Sequence, residues 1–158
     1  MNNISTTSSS NLPQTALIAG YSGLLPQILA AILVFTDSEY RWTGLAAAYG
    51  YAALIFSFLG GIWWGFGMTA RKTDAAAGPI FILAVAPSLI AFATYLPWIW
   101  GWEWPGPSLA WIGIFLIASP LADRWLQHCC HLPAGWMKLR WHLSLGLGGL
   151  TLLLAVMA

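Results

Sequence analysis

The sequence predicts an all-α, polytopic membrane protein with five transmembrane helices in one compact bundle. Of its 158 residues, 59% are hydrophobic and only 7% are charged, whereas an ordinary soluble domain carries about 25% charged residues. The mean hydropathy is +0.72, so this chain has too few polar side chains to cover a soluble fold. Its apolar runs are continuous and about 20 residues long, unlike the alternating strands of an outer-membrane barrel.

Five apolar runs mark the expected helices, and short polar connections separate them. They cover approximately residues 15–35, 43–70, 77–97, 108–126 and 136–158. Residues 1–14 are polar, and this composition predicts a flexible tail. Because the tail contains no Lys or Arg, it lacks the basic start of a secretory signal, and we expect the first run to stay in the mature protein.

Two prolines inside these runs predict bent helices. Pro26 cannot donate a hydrogen bond to the carbonyl of Ser22, and Pro87 frees the carbonyl of Leu83 in the same way. We expect the first and third helices to bend at these prolines and to frame a cavity beside the second helix.

The second run carries the strip on which we expect the bundle to pack. Ser57, Gly61, Gly65 and Thr69 recur at every fourth position and therefore share one face of a helix. Gly61-x-x-x-Gly65 has the spacing that lets two membrane helices bring their backbones together. We predict that neighbouring helices pack on this strip.

Two tryptophans lie between these glycines and give the second run another possible role. Packing accounts for the glycines most simply. The alternative is that Gly60 and Gly61 leave room for a ligand whose walls are Trp63 and Trp64, since small-molecule pockets are mostly apolar and aromatic.

Asp123, Arg124 and Arg140 form the most suggestive charged set. The fourth and fifth helices are adjacent in sequence, so their ends should be close, and Asp123 should pair with Arg140 or Arg124 because unpaired charges at membrane depth are costly. We interpret the set as an interfacial clamp. The alternative is a site for an anion or a lipid headgroup, which arginine binds well.

The histidines and cysteines give weaker signals. His128-Cys129-Cys130-His131 contains metal-binding residue types, but adjacent side chains cannot easily all turn toward one ion, and we predict no metal site. His142 lies about one turn into the fifth helix, where we expect it to hydrogen-bond a neighbouring helix. A proton relay or a haem ligand is the alternative.

Motifs spread over all five runs match one known family. They are Gly20-x-x-Gly23-x-x-Pro26, the stretch 49–65 containing SFLGGIWWG, Val85-x-Pro87, Asp123-Arg124, and Pro133-x-x-Trp136-x-x-Leu139-Arg140-x-x-Leu143. In these motifs the chain resembles the transmembrane-protein-69-like family, small bacterial and mitochondrial membrane proteins grouped under a domain of unknown function. The resemblance implies a compact inner-membrane bundle and brings no known activity.

The remaining patterns narrow the function classes. No nucleophile stands at readable spacing from a base, and no phosphate-binding glycine loop is present, so we expect neither an enzyme nor a cofactor. A net charge of +1 without a basic stripe argues against nucleic-acid binding. We predict a bundle in the lipid bilayer that binds a hydrophobic small molecule, a lipid or another membrane subunit at the Gly/Trp surface of the second helix. A small transporter or channel is the alternative.

The basic residues predict the orientation. The side that holds the N-terminus also holds Arg71, Lys72, Arg124, Lys138 and Arg140, and the other side holds only Arg41. Because basic residues collect on the cytoplasmic side, we expect the N-terminus in the cytoplasm and the protein in a bacterial inner membrane. The alternative is the mitochondrial inner membrane, with the N-terminus in the matrix.

Fusions to alkaline phosphatase in a bacterial host test this orientation. The enzyme matures only outside the cytoplasm because it needs disulfide bonds. We expect it to be active when fused after residue 158 and inactive when fused within the connection 71–76. Activity in the second fusion and not in the first would mean that the orientation is inverted.

Overall fold

The computed structural model describes residues 12–36, 39–69, 77–130 and 132–158. Six α-helices and no strand form the described part of the chain. They are α1 Gln14–Ser22, α2 Leu25–Thr36, α3 Arg41–Thr69, α4 Ala77–Ile99, α5 Gly106–Cys129 and α6 Trp136–Met157. Helices α1 and α2 together form one span, so five spans are long and apolar enough to cross a bilayer. The predicted all-α bundle of five transmembrane helices is confirmed.

Some sequence predictions fall on residues outside this description. They concern residues 1–11 of the polar tail, the basic pair Arg71 and Lys72, and His131. The orientation of the bundle in the membrane stays a prediction.

The first span breaks beside Pro26. Helix α1 ends at Ser22, the residue to which the Pro26 nitrogen cannot donate, and α2 begins at Leu25. Pro26 is the second residue of α2, where a helix amide has no partner within the helix and proline therefore costs little. The Tyr51 hydroxyl of α3 donates to the carbonyl of Gly23, which satisfies a backbone group at the break.

Helix α3, the second predicted span, is the centre of the bundle. It contacts α2, α4, α5 and α6. At about 1.5 Å per residue its 29 residues extend about 44 Å, which exceeds a hydrocarbon core of about 30 Å. The expected central role of this span in packing is confirmed.

The closest backbone approach on α3 occurs at Gly60, not at the predicted Gly61 and Gly65. A Cβ atom on Gly60 would lie only 2.2 Å from the carbonyl oxygen of Ala84 in α4, whereas one on Gly61 or Gly65 would have no neighbour within 4 Å. Both of the latter glycines are exposed at the surface of the described bundle. The prediction that other helices of this chain pack on the Gly61-x-x-x-Gly65 strip is therefore corrected.

A second strip with the same spacing is the buried one. Gly44, Ala48 and Ala52 recur every fourth residue, lead toward Gly60, and are all buried. A four-residue spacing of small residues is present on both faces of α3, so spacing alone did not identify the packed face. Lipid and protein interior are both apolar, so polarity did not identify it either.

Helix α4 continues through Pro87 from Ala77 to Ile99. Pro87 is buried, and its Cδ atom would lie 3.5 Å from a Cβ atom on Gly60. The glycine thus leaves room for the stretch of α4 that contains the proline. Neither Pro26 nor Pro87 lines the cavity described below.

Helices α5 and α6 form the other close pair. A Cβ atom on Gly148 would lie 2.6 Å from Cγ1 of Ile117 and 2.9 Å from the carbonyl oxygen of Gly113. Each glycine therefore allows the backbone of the facing helix to come close. This close approach brings the charged residues at one end of α5 and α6 within bonding distance of each other.

Replacing Gly60 and Gly61 by alanine gives a matched test of the packing face. Gly60→Ala should lower the free energy of unfolding by about 1–3 kcal/mol, because its methyl group collides with the backbone of α4. Gly61→Ala should leave it unchanged or raise it slightly, because alanine favours the helix. Reversible unfolding in mixed micelles measures both, and a larger loss at Gly61 would contradict the packing.

Candidate functional site

A buried ion pair joins α5 to α6. The side chain of Asp123 is completely buried, and Arg140 is 5% exposed. Nε of Arg140 lies 2.7 Å from Oδ2 of Asp123. Of the two pairings that the sequence left open, the structure contains this one, and Arg124 is exposed at the surface.

Two tryptophans complete the surroundings of the Asp123 carboxylate. The indole Nε1 of Trp63, on α3, donates to Oδ1 at 3.1 Å, and that of Trp136, on α6, donates to the same oxygen at 3.3 Å. Within the described part of the chain, the carboxylate oxygens of Asp123 accept from three donors, the two indoles and Arg140. One carboxylate therefore connects α3, α5 and α6.

Ser119, the residue before Pro120, links the backbone of α5 to the ion pair. Because proline has no N–H, the carbonyl of Leu116 loses its usual helical donor, and the Ser119 hydroxyl donates to that carbonyl at 2.7 Å. The oxygen of Ser119 then accepts from Nη2 of Arg140 at 2.9 Å. It also lies 3.1 Å from the Ser144 hydroxyl.

Asp123, Arg140, Ser119 and Ser144 form one hydrogen-bond network. An apolar cavity of about 260 Å³ adjoins this network. Helices α1, α3 and α6 form most of its wall, which includes Ala16 and Gly20, Ile55 and Leu59, and Leu143 and Leu147. Arg140 and Ser144 are the polar side chains in the wall. The network therefore gives an otherwise apolar cavity one polar side.

Helix α1 covers the cavity and is weakly anchored. It has no buried residue and contacts α6. The Tyr21 hydroxyl lies 2.8 Å from Nδ1 of His142, so the predicted hydrogen bond between His142 and a neighbouring helix is present. This bond and the hydrogen bond from Tyr51 to Gly23 both lie at the C-terminal end of α1.

The residues predicted to bind a ligand on α3 lie outside this cavity. None of Ser57, Gly60, Gly61, Trp63, Trp64 or Gly65 lines it. Trp63 is buried on the Asp123 side, whereas Trp64 is 47% exposed and packs against Phe81. Of the predicted site residues that the structure describes, only Arg140 lines the cavity.

A shallow groove lies on another face of α3, between α3 and α4. Its aromatic rings come from Tyr49, Tyr95, Trp98 and Trp104, and each ring lies within 6.3 Å of the next, centre to centre. Ser57 also lines the groove, and its hydroxyl lies 2.8 Å from that of Ser88. Trp104, in the connection between α4 and α5, thus contributes to this groove.

The His/Cys patch is only partly described. The Sγ atom of Cys130 lies 3.7 Å from the carbonyl oxygen of Phe66, to which its thiol donates. His128 is exposed and Cys129 is partly buried. No group of three or more metal-binding side chains occurs among the described residues.

Five apolar spans, an apolar outer surface and a buried ion pair define a multi-pass helical membrane protein. The chain belongs to the family described as "protein of unknown function (DUF3429)", which it matches over residues 12–157. It is also 31% identical over 84 residues to transmembrane protein 69 of Xenopus tropicalis. These findings confirm the resemblance to the transmembrane-protein-69-like family.

The match to the Xenopus protein covers 53% of this chain and 33% of that protein. The chain therefore spans about a third of the length of this curated relative. No solved structure matches the chain.

Removing the negative charge tests the ion pair. Asp123→Asn should lower the free energy of unfolding by about 3–5 kcal/mol, because Arg140 then keeps a buried charge without a partner. Arg124→Gln, at the adjacent exposed position, should change it by less than about 0.5 kcal/mol. Unfolding in mixed micelles measures both variants.

A double variant distinguishes a direct pair from two independent effects. Asp123→Asn combined with Arg140→Gln should cost clearly less than the sum of the two single substitutions, because no unbalanced charge remains. If the two costs simply add, the carboxylate and the guanidinium do not act as a pair.

Proposed function

We propose that this protein is a non-enzymatic membrane protein that binds a hydrophobic ligand in the cavity between α1, α3 and α6. The cavity itself supports the proposal most strongly, because an apolar wall with a small number of polar groups is typical of ligand pockets. Its polar side consists of Arg140 and Ser144. Their positions are fixed by hydrogen bonds to buried partners, as a preorganised site requires.

The volume limits the ligand. An engineered apolar cavity of about 150 Å³ takes up benzene, and drug-sized pockets begin near 300 Å³. A cavity of about 260 Å³ therefore suits one alkyl chain or one ring system. A phospholipid with two acyl chains would leave much of itself outside.

The surroundings of the cavity support access from the lipid. Phe58 of α3 lines the cavity and is also 64% exposed on the outer surface, so the wall is continuous with the lipid-facing side of the bundle. Helix α1, which covers the cavity, has no buried residue. A small movement of α1 would open the cavity toward the hydrocarbon region.

We also propose a bacterial inner membrane as the location, with the mitochondrial inner membrane as the alternative. The asymmetry of basic residues supports an N-terminus in the cytoplasm or the matrix. The similarity to a Xenopus protein keeps the mitochondrial alternative in consideration.

A small transporter is the second candidate, and the break in the first span favours it. Gly23 and Leu24, the residues at the break, both line the cavity. Transporters place substrate sites at such interrupted helices. Ligand movement across proteoliposomes, rather than binding alone, would favour this candidate over a binding protein.

Filling the cavity from α1 tests the binding proposal. A diazirine-bearing alkyl probe, activated by light in nanodiscs, should label peptides of α1, α3 and α6 around the cavity. Gly20→Leu should reduce this labelling by at least about tenfold, which corresponds to about 1.4 kcal/mol of lost binding free energy. The reason is that Gly20 lines the cavity and that a Cβ atom on it would already lie 3.3 Å from Leu143, so a leucine side chain would occupy the cavity.

Gly149→Leu is the matched control. Gly149 belongs to α6, and a Cβ atom on it would have no neighbour within 4 Å, so the same substitution there should leave labelling unchanged. Both variants should keep the melting temperature of the parent protein within a few degrees. Equal labelling of the parent protein and the folded Gly20→Leu variant would contradict binding in this cavity.

A further inference from the structure

The hydrogen bonds of Arg140 leave part of its guanidinium group available. The side chain has five N–H donors. Nε donates to Asp123 and Nη2 donates to Ser119, but no hydrogen bond joins Nη1 to any residue in the described part of the chain. Because Arg140 also lines the cavity, we infer that Nη1 is the nitrogen that donates to a ligand there.

The charge of the site decides which acceptor is suitable. Asp123 already balances Arg140, so the pair is neutral before a ligand arrives. An anionic ligand would give this buried site a net negative charge, which is costly. A neutral oxygen acceptor, such as a carbonyl group, accepts a charge-assisted hydrogen bond and leaves the site neutral.

The position of Arg140 along the cavity sets the orientation of the ligand. Trp136 and Leu147 both line the cavity, and at about 1.5 Å per residue they lie about 16 Å apart along α6. Arg140 is four residues from Trp136 and seven from Leu147. The polar group therefore belongs near the Trp136 end, and the longer apolar part of the ligand extends toward Leu147.

We propose that the cavity selects a neutral amphiphile with one alkyl chain or one ring, whose carbonyl oxygen accepts a hydrogen bond from Nη1 of Arg140. The proposal rests on the binding function proposed above and adds the chemical class of the ligand. Ser119 positions the guanidinium group by accepting from Nη2. A fatty ester, a long-chain ketone and a quinone ring share the required oxygen.

Competition against the diazirine-bearing alkyl probe tests the proposal on the unmodified protein. The competitors are an alkane, a methyl ester, a methyl ketone and an alkyl sulfonate of equal chain length, together with an alkyl benzoquinone. The ester and the ketone should compete about tenfold more strongly than the alkane, as expected for one hydrogen bond to a charged donor. The sulfonate should compete less strongly than either carbonyl compound.

The outcomes separate this proposal from the binding function. An alkane that competes as strongly as the ester would overturn carbonyl recognition and leave hydrophobic binding intact. Absence of probe labelling around the cavity would overturn both. A sulfonate stronger than the ester would overturn the choice of a neutral ligand. If the benzoquinone competes more strongly than the ester, the carbonyl oxygen of the ligand belongs to a ring. If the ester competes more strongly, it belongs to an alkyl ester.

Removing the balancing charge should reverse the selectivity. In Asp123→Asn the guanidinium group keeps its full charge, so the ratio of sulfonate to ester binding should rise about tenfold or more. Glu103→Gln, which neutralises an acid in the exposed loop, should leave the ratio unchanged. An unchanged ratio in folded Asp123→Asn would overturn the charge argument. If this variant does not fold, the competition series on the unmodified protein decides.

Discussion

The Asp123–Arg140 ion pair is the interaction on which the rest of the bundle depends. Two opposite charges lie almost completely inside an apolar structure, where either one alone would be strongly destabilising. The surrounding donors and acceptors reduce this cost, because Trp63, Trp136 and Ser119 all hydrogen-bond to the pair. These bonds require α3, α5 and α6 to hold one relative arrangement, so the pair specifies the packing of three helices.

Prolines and hydroxyl groups act together in this structure. A proline in a membrane helix frees a carbonyl oxygen that no water can reach, so another donor must satisfy it. Ser119 supplies that donor next to Pro120. Tyr51 donates to a different backbone carbonyl, that of Gly23, at the break that precedes Pro26. The first of these hydroxyl groups also belongs to the ion-pair network, so a local backbone requirement contributes to the site.

The stability of the bundle is distributed unevenly around the cavity. The rigid side consists of α5 and α6, whose backbones meet at Gly113 and Gly148 and which contain the ion pair. The opposite side is α1, a short helix without buried residues, joined to α2 through the break. Segments with few buried contacts open at low free-energy cost, so the cavity combines a fixed polar side with a cover that can move.

The sequence by itself determined the class, the number of spans, a bend at Pro26 and the need of Asp123 for a basic partner. These follow from local costs: the length and apolarity of each run, the missing N–H of proline, and the price of a charge in lipid. Only the tertiary structure decided which face of each helix is buried. Gly60 packs while Gly61 is open, and the adjacent Trp63 and Trp64 have opposite surroundings. The physical reason is that lipid and the bundle interior are both apolar, so hydrophobic periodicity does not distinguish the face of a helix that packs on protein from the face that contacts lipid.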